Sequence, residues 1–338
     1  MLRTASIVAT LLALAATASG CDLGGRAEKV KAGSRPASPA PAPRPAGERI
    51  RVASTPAALA AIDGGIWVAT AGDASLRRID ASSGRLGRPL RLRTPAVALA
   101  AGDGAIWAAL AGGQVVKLDP VAGELVGEPA RVADPSRMAV GGGSVWVTSA
   151  GSRSLARIDP RDGRLRGPPV RLASGAVDVV VATGRVWVAG DDGKVSRIDP
   201  ASGQVDATPA VVAESRVLAL AAGDGGVWAA RTNSQFAEHI EVVRLDPESG
   251  APAGQPVAVQ GGVPLRLAVG ASSLWSTDVG SLVPPEPRPA SLTRIDARAM
   301  AHAGHPILLG QGPSDVIVAE GSVWVANAGD GTVTRVAL

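Results

Sequence analysis

Seven tryptophans recur at nearly even intervals, and this spacing limits the folds that the chain can adopt. The intervals are 40, 39, 41, 41, 47 and 49 residues, and each tryptophan follows a Gly-rich turn and begins an apolar segment. The positions are Trp67, Trp107, Trp146, Trp187, Trp228, Trp275 and Trp324. A period in the forties with Gly-rich turns and short apolar runs indicates a β-propeller or another repeat array.

Each repeat contains four segments of strand length. In the third repeat these are "MAV", "VWVTS", "LARID" and, after a D-P-x-x-G type of turn, "PVRL". Four antiparallel strands repeated seven times predict an all-β protein, a seven-bladed β-propeller over residues 49–338. We expect the tryptophans to fill the gaps between blades, and the repeated Arg-Ile-Asp to supply a cross-strand or solvated arginine and a turn-capping aspartate.

The last repeat lacks its fourth strand, because the sequence ends soon after "TVTRVA". Near the other end, "IRVAS" (50–54) has no partner in the first repeat and matches "VRLAS" (170–174), the end of a fourth strand. We therefore predict that residues 49–54 complete blade seven and close the ring, so that no sheet edge is left open there.

The first 48 residues predict export and attachment rather than fold. Arg3 precedes an apolar stretch (7–18), and "ASGC" (18–21) resembles a bacterial lipobox in which Cys21 carries the lipid. Residues 1–20 then form a signal peptide, and 21–48 a lipidated cysteine and a disordered Pro/Ala-rich tether. This predicts a protein lipid-anchored to the bacterial cell membrane, outside the cytoplasm. A plain secretory cleavage site and an uncleaved anchor remain open.

Function on a propeller is expected where the repeats differ. Nine residues before each tryptophan, on the inner strand near one mouth of the central channel, four repeats carry a charge. The residues three positions after each tryptophan, on the second strand, are expected to surround the same mouth. The connections 231–240 and 277–291 are longer than in the other repeats and leave from that face. The predicted ligand-binding residues are Arg137, Asp178, Arg231, Phe236, Arg266, Asp278, Asp315 and Asn327.

The same positions have structural explanations that stay open. Arg137 with Asp178, and Arg266 with Asp315, would form two cross-blade ion pairs that fix the ring. Such pairing lowers the pKa of a carboxyl and makes it a poor general acid, which favours binding over catalysis. The long connections, in turn, are equally explained by loop variation without a function.

No cofactor or metal site is predicted. His302 and His305 have no third ligand nearby, and the phosphate-binding, nucleophile-elbow and zinc-protease motifs are absent from the sequence. The net charge of +4 is modest and comes largely from arginines at repeat positions, so nucleic acid is not an expected partner. A monomer is expected.

The units "GSVWVANAGDGTVTRV" (321–336) and "GSVWVTSAGSRSLARIDPRDGRL" (143–165) resemble the YVTN-type and virginiamycin B lyase-like β-propeller repeats of bacterial extracytoplasmic proteins. The resemblance covers residues 49–338 and implies the propeller fold. Lyase members use a metal ion held by acidic residues, a histidine base and a Trp-Phe-Thr-Glu run. Here the tryptophan is followed by Val-Ala-Thr, Val-Thr-Ser or Val-Ala-Asn, and no histidine lies on a predicted inner strand, so no lyase residue carries over.

The sequence therefore predicts a binding or scaffold module that meets a protein or an envelope polymer through one face of the ring. The alternative is a lyase-like enzyme at the channel mouth, with Asp178, Asp315 or Asp278 as acid–base or metal-binding groups. Whether the chain is an enzyme at all is left open by the sequence.

Overall fold

The structure is a computed structural model that describes residues 47–149, 151–214, 216–232, 240–259, 265–280 and 288–338. Within these ranges the chain is all β, and none of them holds a helix that could cross a membrane. The predicted signal peptide, Cys21, the tether up to residue 46 and Phe236 lie outside the described residues.

The strands form seven antiparallel sheets, the blades, arranged so that the first strand of each blade lines a central channel. Labels follow chain order, beginning with β1 (Glu48–Arg51). The inner strands are β2 (Pro56–Ile62), β6 (Ala96–Gly102), β10 (Pro135–Gly141), β14 (Ala176–Ala182), β18 (Arg216–Gly223), β22 (Leu267–Gly270) and β27 (Pro313–Ala319). The second strands are β3 (Gly65–Thr70), β7 (Ala105–Leu110), β11 (Ser144–Ser149), β15 (Arg185–Gly190), β19 (Gly226–Thr232), β23 (Ser273–Asp278) and β28 (Ser322–Asn327).

The third strands carry the Arg-Ile-Asp type of sequence, and the outer strands are mostly short. The third strands are β4 (Ser75–Asp80), β8 (Gln114–Asp119), β12 (Ser154–Ile158), β16 (Lys194–Ile198), β20 (Ile240–Leu245), β24 (Ser291–Asp296) and β29 (Thr332–Ala337). The outer strands are β5 (Leu90–Arg91), β9 (Glu124–Arg131), β13 (Val170–Arg171), β17 (Ala210–Val211), β21 (Pro252–Val259) and, in blade six, β25 (Ala301–His302) with β26 (Ile307–Leu308). The predicted seven-bladed fold is confirmed.

The ring is closed by β1, as the sequence predicted. It pairs antiparallel with β29, with Ile50 opposite Val333 and Arg51 opposite Thr332, so blade seven runs β27-β28-β29-β1. The strand starts at Glu48 and ends at Arg51, and one further backbone bond joins Val52 N to Gly331 O at 3.0 Å. Every described strand pairing lies within residues 48–337, and Pro41–Leu338 form one compact unit, so this segment contains the whole ring.

The inner hairpins are built by two-residue turns at the end of the ring away from the first residues of the inner strands. In blade one both turn residues, Asp63 (φ 48°) and Gly64 (φ 65°), have positive φ. This is the backbone of the turn whose twist matches the flanking strands, and it favours Asp-Gly and related pairs. The equivalent two residues have positive φ in all seven blades.

The seven tryptophans lie between blades, as expected. All are at most 4% exposed, and Trp67 of blade one packs with Ile106 and Leu118 of blade two. Trp324 of blade seven packs with Ile66 and Ile79 of blade one in the same way. Burying one indole at each joint stabilises the ring by joining neighbouring sheets through large, flat contacts.

The repeated Arg-Ile-Asp has the structural role that the sequence suggested. In six blades the basic residue of the third strand lies over the indole opposite, with centroid distances from 5.2 to 5.9 Å. The aspartate caps the following turn, as where Asp296 Oδ1 accepts the backbone N–H groups of Arg298 and Ala299. These bonds to the ionised carboxyl hold the pKa of Asp296 below its ordinary value.

Candidate binding site at the channel mouth

All seven inner strands enclose one polar cavity of about 300 Å³ at the centre of the ring, the channel cavity. Its charged lining consists of Arg137, Asp178, Arg266 and Asp315, the four inner-strand residues that the sequence singled out. The structure thus brings these four together from blades three, four, six and seven. Ala58 and Ala98 occupy the same position in blades one and two, which leaves room beside the charges.

The four charged residues lie near the face where the inner strands begin, which we call the mouth. Arg137 lines both the channel cavity and a second recess of about 530 Å³. That recess is bordered by Pro135 and Ala176, where two inner strands begin, and by Asp191, which follows a second strand. The Arg137 side chain therefore borders both the interior of the channel and the loops of the mouth.

A β-bulge places this position in the channel. The register between inner and second strands shifts from Pro135 to Met138 in blade three and from Ala176 to Asp178 in blade four, and equivalent shifts occur in blades one, two, five and seven. A bulge bends its strand and changes the direction of the side chain beside it. The constant spacing from the tryptophan identified the position, whereas the bulge itself has no obvious signal in the sequence.

The two aspartates connect neighbouring blades through backbone groups. Asp178 Oδ2 accepts the N–H of Leu220 in blade five at 2.9 Å, and Asp315 Oδ2 accepts the N–H of Leu59 in blade one at 2.8 Å. The other oxygen of each carboxyl accepts the N–H of the next residue along its own strand, at 2.9 and 3.0 Å. Each aspartate therefore braces one joint of the ring.

The predicted ion pairs are not formed as direct contacts. Among the described residues, neither Arg137 with Asp178 nor Arg266 with Asp315 has a nitrogen within 4.0 Å of a carboxylate oxygen. The charge of Arg137 still favours the ionised form of both carboxyls and opposes the rise in pKa that burial causes. The aspartates thus bind the next blade around the ring, rather than the arginine of the preceding blade.

The expected lowering of the carboxyl pKa is wrong. Burial in the channel removes the solvation of the charged form, and this effect outweighs both the hydrogen bonds and Arg137. Burial raises the pKa of Asp315 to about 6. It also raises the pKa of Asp178 above its ordinary value, with the charge of Asp315 adding to the effect.

The two arginines have donor groups left over. Arg266 uses one terminal nitrogen to donate to the backbone oxygen of Leu265 at 2.9 Å, whereas its Nε is buried and has no hydrogen-bond partner. The guanidinium of Arg137 makes no hydrogen bond or ion pair with any residue in the described ranges. Two guanidinium groups with unused N–H donors in one cavity suit a carboxylate or another planar anion.

Two threonines hold the arginine backbones, and the sequence reasoning missed them. Thr148 Oγ1 accepts the backbone N–H of Arg137 at 2.9 Å, and Thr277 Oγ1 accepts that of Arg266 at 3.0 Å. Both lie two residues after their tryptophan, where the other five blades have alanine. Threonine thus occurs there only in the two blades with a channel arginine, a covariation between repeats that could have been read from the sequence.

Three other predicted residues lie outside the lining of the channel cavity. Asp278 is 2% exposed and pairs with Arg288 at 3.0 Å, and Asn327 is fully buried and donates to Thr332 and Thr334. Arg231 donates to Glu241 at 3.0 and 3.1 Å and to a backbone oxygen. These positions at the end of the second strand lie on the face of the mouth, but their polar groups are engaged by neighbouring residues and do not line the channel cavity.

The described residues do not offer the donor set of a metal site. They contain no group of three or more His, Cys, Asp or Glu side chains that could hold a metal ion. Both oxygens of Asp178 and of Asp315 already accept backbone N–H groups. The metal and histidine that the lyase resemblance implies therefore have no fitting residues in the described channel.

The fold and this cavity define a seven-bladed β-propeller with a charged central channel, a class that includes both binding proteins and enzymes. No protein-family profile matches the chain, and no curated protein matches its sequence. Among solved structures, 1582 chains match, so the fold is too common to select one activity.

Three of these structures illustrate the range of proteins that share the fold. Virginiamycin B lyase from Staphylococcus aureus has a TM-score of 0.66 at 16% identity, covering 86% of this chain and 98% of that one. A streptogramin B lyase has 0.66 at 16% identity, covering 85% and 96%. Hydrazine synthase from Kuenenia stuttgartiensis has 0.66 at 15% identity, covering 84% and 96%. The resemblance to lyase-type propellers thus extends to the fold, and at these identities to the fold alone.

Proposed function

We propose that this chain is a binding or scaffold module, held by a lipid at Cys21 on the outer side of the bacterial cell membrane. Its ligand is an acidic group of a protein or an envelope polymer that reaches the channel through the mouth. The observation that carries the proposal is the pair Arg137 and Arg266, whose unused N–H donors line the channel cavity. A cavity of about 300 Å³ suits one carboxylate-bearing side group or chain end rather than a whole folded partner.

The charges favour binding at the arginines over binding at the aspartates. Both aspartates are engaged with the backbone of the next blade, and burial raises the pKa of both, to about 6 for Asp315. The arginines stay cationic, so the cavity gains positive charge as the aspartates are protonated. Anion binding at the mouth is therefore expected to strengthen as the pH falls from 7.5 to 5.5.

A thermal-shift titration of residues 41–338 with citrate, a small carboxylate probe, tests the site. Citrate is expected to raise the melting temperature of the native sequence by binding only the folded state. Arg266→Gln and Arg137→Gln should each weaken the apparent affinity by roughly 10- to 100-fold, since each removes charge-assisted hydrogen bonds. Arg153→Gln is the matched control, because Arg153 is exposed in the turn between β11 and β12 and does not line the channel cavity.

Equal citrate shifts in all four proteins would refute the channel as the anion site. The natural ligand is then sought by retaining a bacterial envelope extract on immobilised 41–338. A protein or polymer retained by the native sequence and by Arg153→Gln, but lost with Arg137→Gln/Arg266→Gln, supports the proposal. Equal retention by the double variant would overturn it.

A second candidate is a lyase-like enzyme, and one observation favours it. A carboxyl with a pKa of about 6, as for Asp315, is suited to proton transfer near neutral pH. Two of the structural neighbours are a virginiamycin B lyase and a streptogramin B lyase. Incubation with virginiamycin B distinguishes the candidates: product formation lost in Asp315→Asn supports the enzyme, and an unchanged substrate supports the binding module. Stabilisation by magnesium that is lost in Asp178→Asn or Asp315→Asn would also support the enzyme.

A further inference from the structure

The outer edge of blade one carries a row of arginines without acidic neighbours in sequence. Between Asp80 and Asp103 the chain has no Asp or Glu, and the segment "RLGRPLRLR" (85–93) contains four arginines. We call Arg85, Arg88, Arg91 and Arg93 the blade-one strip. The corresponding edge of blade four, "QVDATPAVV" (204–212), has no arginine, so the strip is not a requirement of the repeat.

The structure fixes the strip on the rim of the ring. The segment runs antiparallel along the length of β4, from the bond between Asp80 N and Arg85 O at 2.9 Å to the pairing of Ser75 with Arg91. The leucines of the segment are partly buried and pack on the core clusters beneath, whereas the arginines are exposed. The packed leucines are Leu86, Leu90 and Leu92. Burial of the leucines therefore orients the arginines outward.

The charge of the strip is mostly uncompensated. No ion pair or hydrogen bond with a described residue is formed by the guanidinium groups of Arg85, Arg88 and Arg93. Arg91 lies 3.5 Å from Asp73, which also pairs with Arg77. Three free guanidinium groups in a row of nine residues form a linear cationic edge rather than a pocket. Such an edge fits a surface with many anionic groups better than a single small ligand.

The strip lies beside the point where the N-terminal part of the chain joins the propeller. A Cβ built on Gly84, next to Arg85, would lie 3.0 Å from Oε1 of Glu48 and 3.5 Å from Cδ1 of Ile50, so the turn before the strip touches β1. The described chain therefore begins on the same side of the rim as the strip. Arg51 of β1 is also exposed there.

We propose that the blade-one strip docks on an anionic membrane surface, so that the propeller stands on this edge. Guanidinium groups bind lipid phosphates in a bidentate manner, and each arginine at an anionic surface strengthens binding by roughly fivefold. The blade-one edge then faces the lipid headgroups while the channel mouth, on a face of the ring, stays open to the solvent. This orientation does not depend on the identity of the channel ligand or on the lipid at Cys21.

Co-sedimentation of residues 41–338 with vesicles tests the docking. We expect binding to vesicles of 70% phosphatidylcholine and 30% phosphatidylglycerol, weaker binding at 500 mM than at 50 mM NaCl, and none to pure phosphatidylcholine. Arg85→Gln/Arg88→Gln/Arg93→Gln should lower the partition coefficient by roughly 100-fold. The three residues are exposed, so an unchanged melting temperature is expected and confirms folding.

The matched control removes the same charge from blade three, as Arg153→Gln/Arg164→Gln/Arg171→Gln, all exposed residues. It should keep at least a third of the native partition coefficient. Equal losses in the two triple variants would show that net charge alone drives binding, and would overturn the strip. Absence of binding to the anionic vesicles, or stronger binding of the strip to soluble polyphosphate than to vesicles at equal phosphate concentration, would overturn the membrane as the partner.

Discussion

Replacing Asp315 by asparagine tests whether a channel carboxylate that connects two blades destabilises the folded state when it is ionised. In the native chain Asp315 accepts two backbone N–H groups, one from Leu59 of the next blade, and burial raises its pKa from 3.8 to about 6. A shift of this size corresponds to about 3 kcal/mol between the protonated and the charged forms. That cost falls on the folded state at neutral pH.

The sign of the pH dependence follows from the raised pKa. The folded state binds this proton more tightly than the unfolded state, so the stability it provides is complete below about pH 4 and lost as the pH rises through about 6. Asparagine does not titrate, but it offers only one oxygen and leaves one of the two backbone N–H groups without an acceptor, at a cost of about 1–3 kcal/mol. Asp315→Asn is therefore less stable than the native chain at pH 4.5 and similar to it at pH 8.

The measurement is the melting temperature by tryptophan fluorescence between pH 4.5 and pH 8. Between pH 4.5 and pH 8 about 2 kcal/mol of this effect is lost, because the full effect is reached only below about pH 4. For a domain of roughly 290 residues this corresponds to about 3 °C, so the difference between Asp315→Asn and the native chain should move by about 3 °C in favour of the variant as the pH rises. Asp296→Asn is the control, because the pKa of this turn-capping carboxyl is lowered from 3.8 and its stabilisation is lost only below that pH. Its difference from the native chain should therefore stay constant between pH 4.5 and pH 8. Parallel pH profiles for Asp315→Asn and the native chain would refute the reasoning.

Three further outcomes are expected. Deleting residues 48–54 removes the fourth strand of blade seven and the buried Ile50 and Val52, so we expect a loss of at least about 3–6 kcal/mol, seen as a sharply lower melting temperature; an unchanged value would contradict closure by β1. Cys21→Ser should move the full-length protein from the membrane fraction to the soluble fraction on cell fractionation, and continued retention would favour an uncleaved anchor. Thr277→Val leaves the buried N–H of Arg266 without its acceptor and should cost about 1–3 kcal/mol in urea unfolding, whereas Thr277→Ser, which keeps the hydroxyl, should cost less.

The architecture could be predicted from the sequence because its signals are local and repeated seven times. Turn pairs such as Asp63–Gly64 determine the inner hairpins, and one indole per repeat marks each joint between blades. The match between residues 50–54 and the end of a fourth strand was enough to predict that β1 pairs with β29, because only one blade had a vacant edge. Each of these features can be found by comparing equivalent positions of the repeats, without knowing any distance between residues in space.

The chemistry of the channel could be predicted only in part. The spacing from the tryptophans correctly selected four residues that share one cavity, since equivalent strand positions lie at equal depth in the ring. The spacing did not identify the partner of Asp178. Because the preceding blade carries Arg137, the sequence suggested Arg137 as this partner, whereas the carboxyl accepts the N–H of Leu220 in the blade on the other side. The predicted direction of the pKa change of Asp178 depended on this partner and on the burial of the carboxyl. Asp278 does not line the channel cavity, because both faces of the second strand are covered up to its last residue.

The channel contains the same arrangement twice, and this repetition separates the structural residues from the available ones. Blades three, four and five carry Arg, Asp and Ala at the channel position, and blades six, seven and one carry the same order. In each set the aspartate accepts a backbone N–H from the blade that has alanine at the channel position. The small alanine side chain leaves the N–H of the following residue, Leu220 or Leu59, accessible to the carboxyl. In each set a threonine, found only in the Arg blades, fixes the arginine backbone without using its guanidinium. A ring that needed only bracing would need the aspartates and a positive charge, such as that of Arg137, to offset theirs. The N–H donors that both arginines leave unused are the part of the arrangement that bracing does not explain.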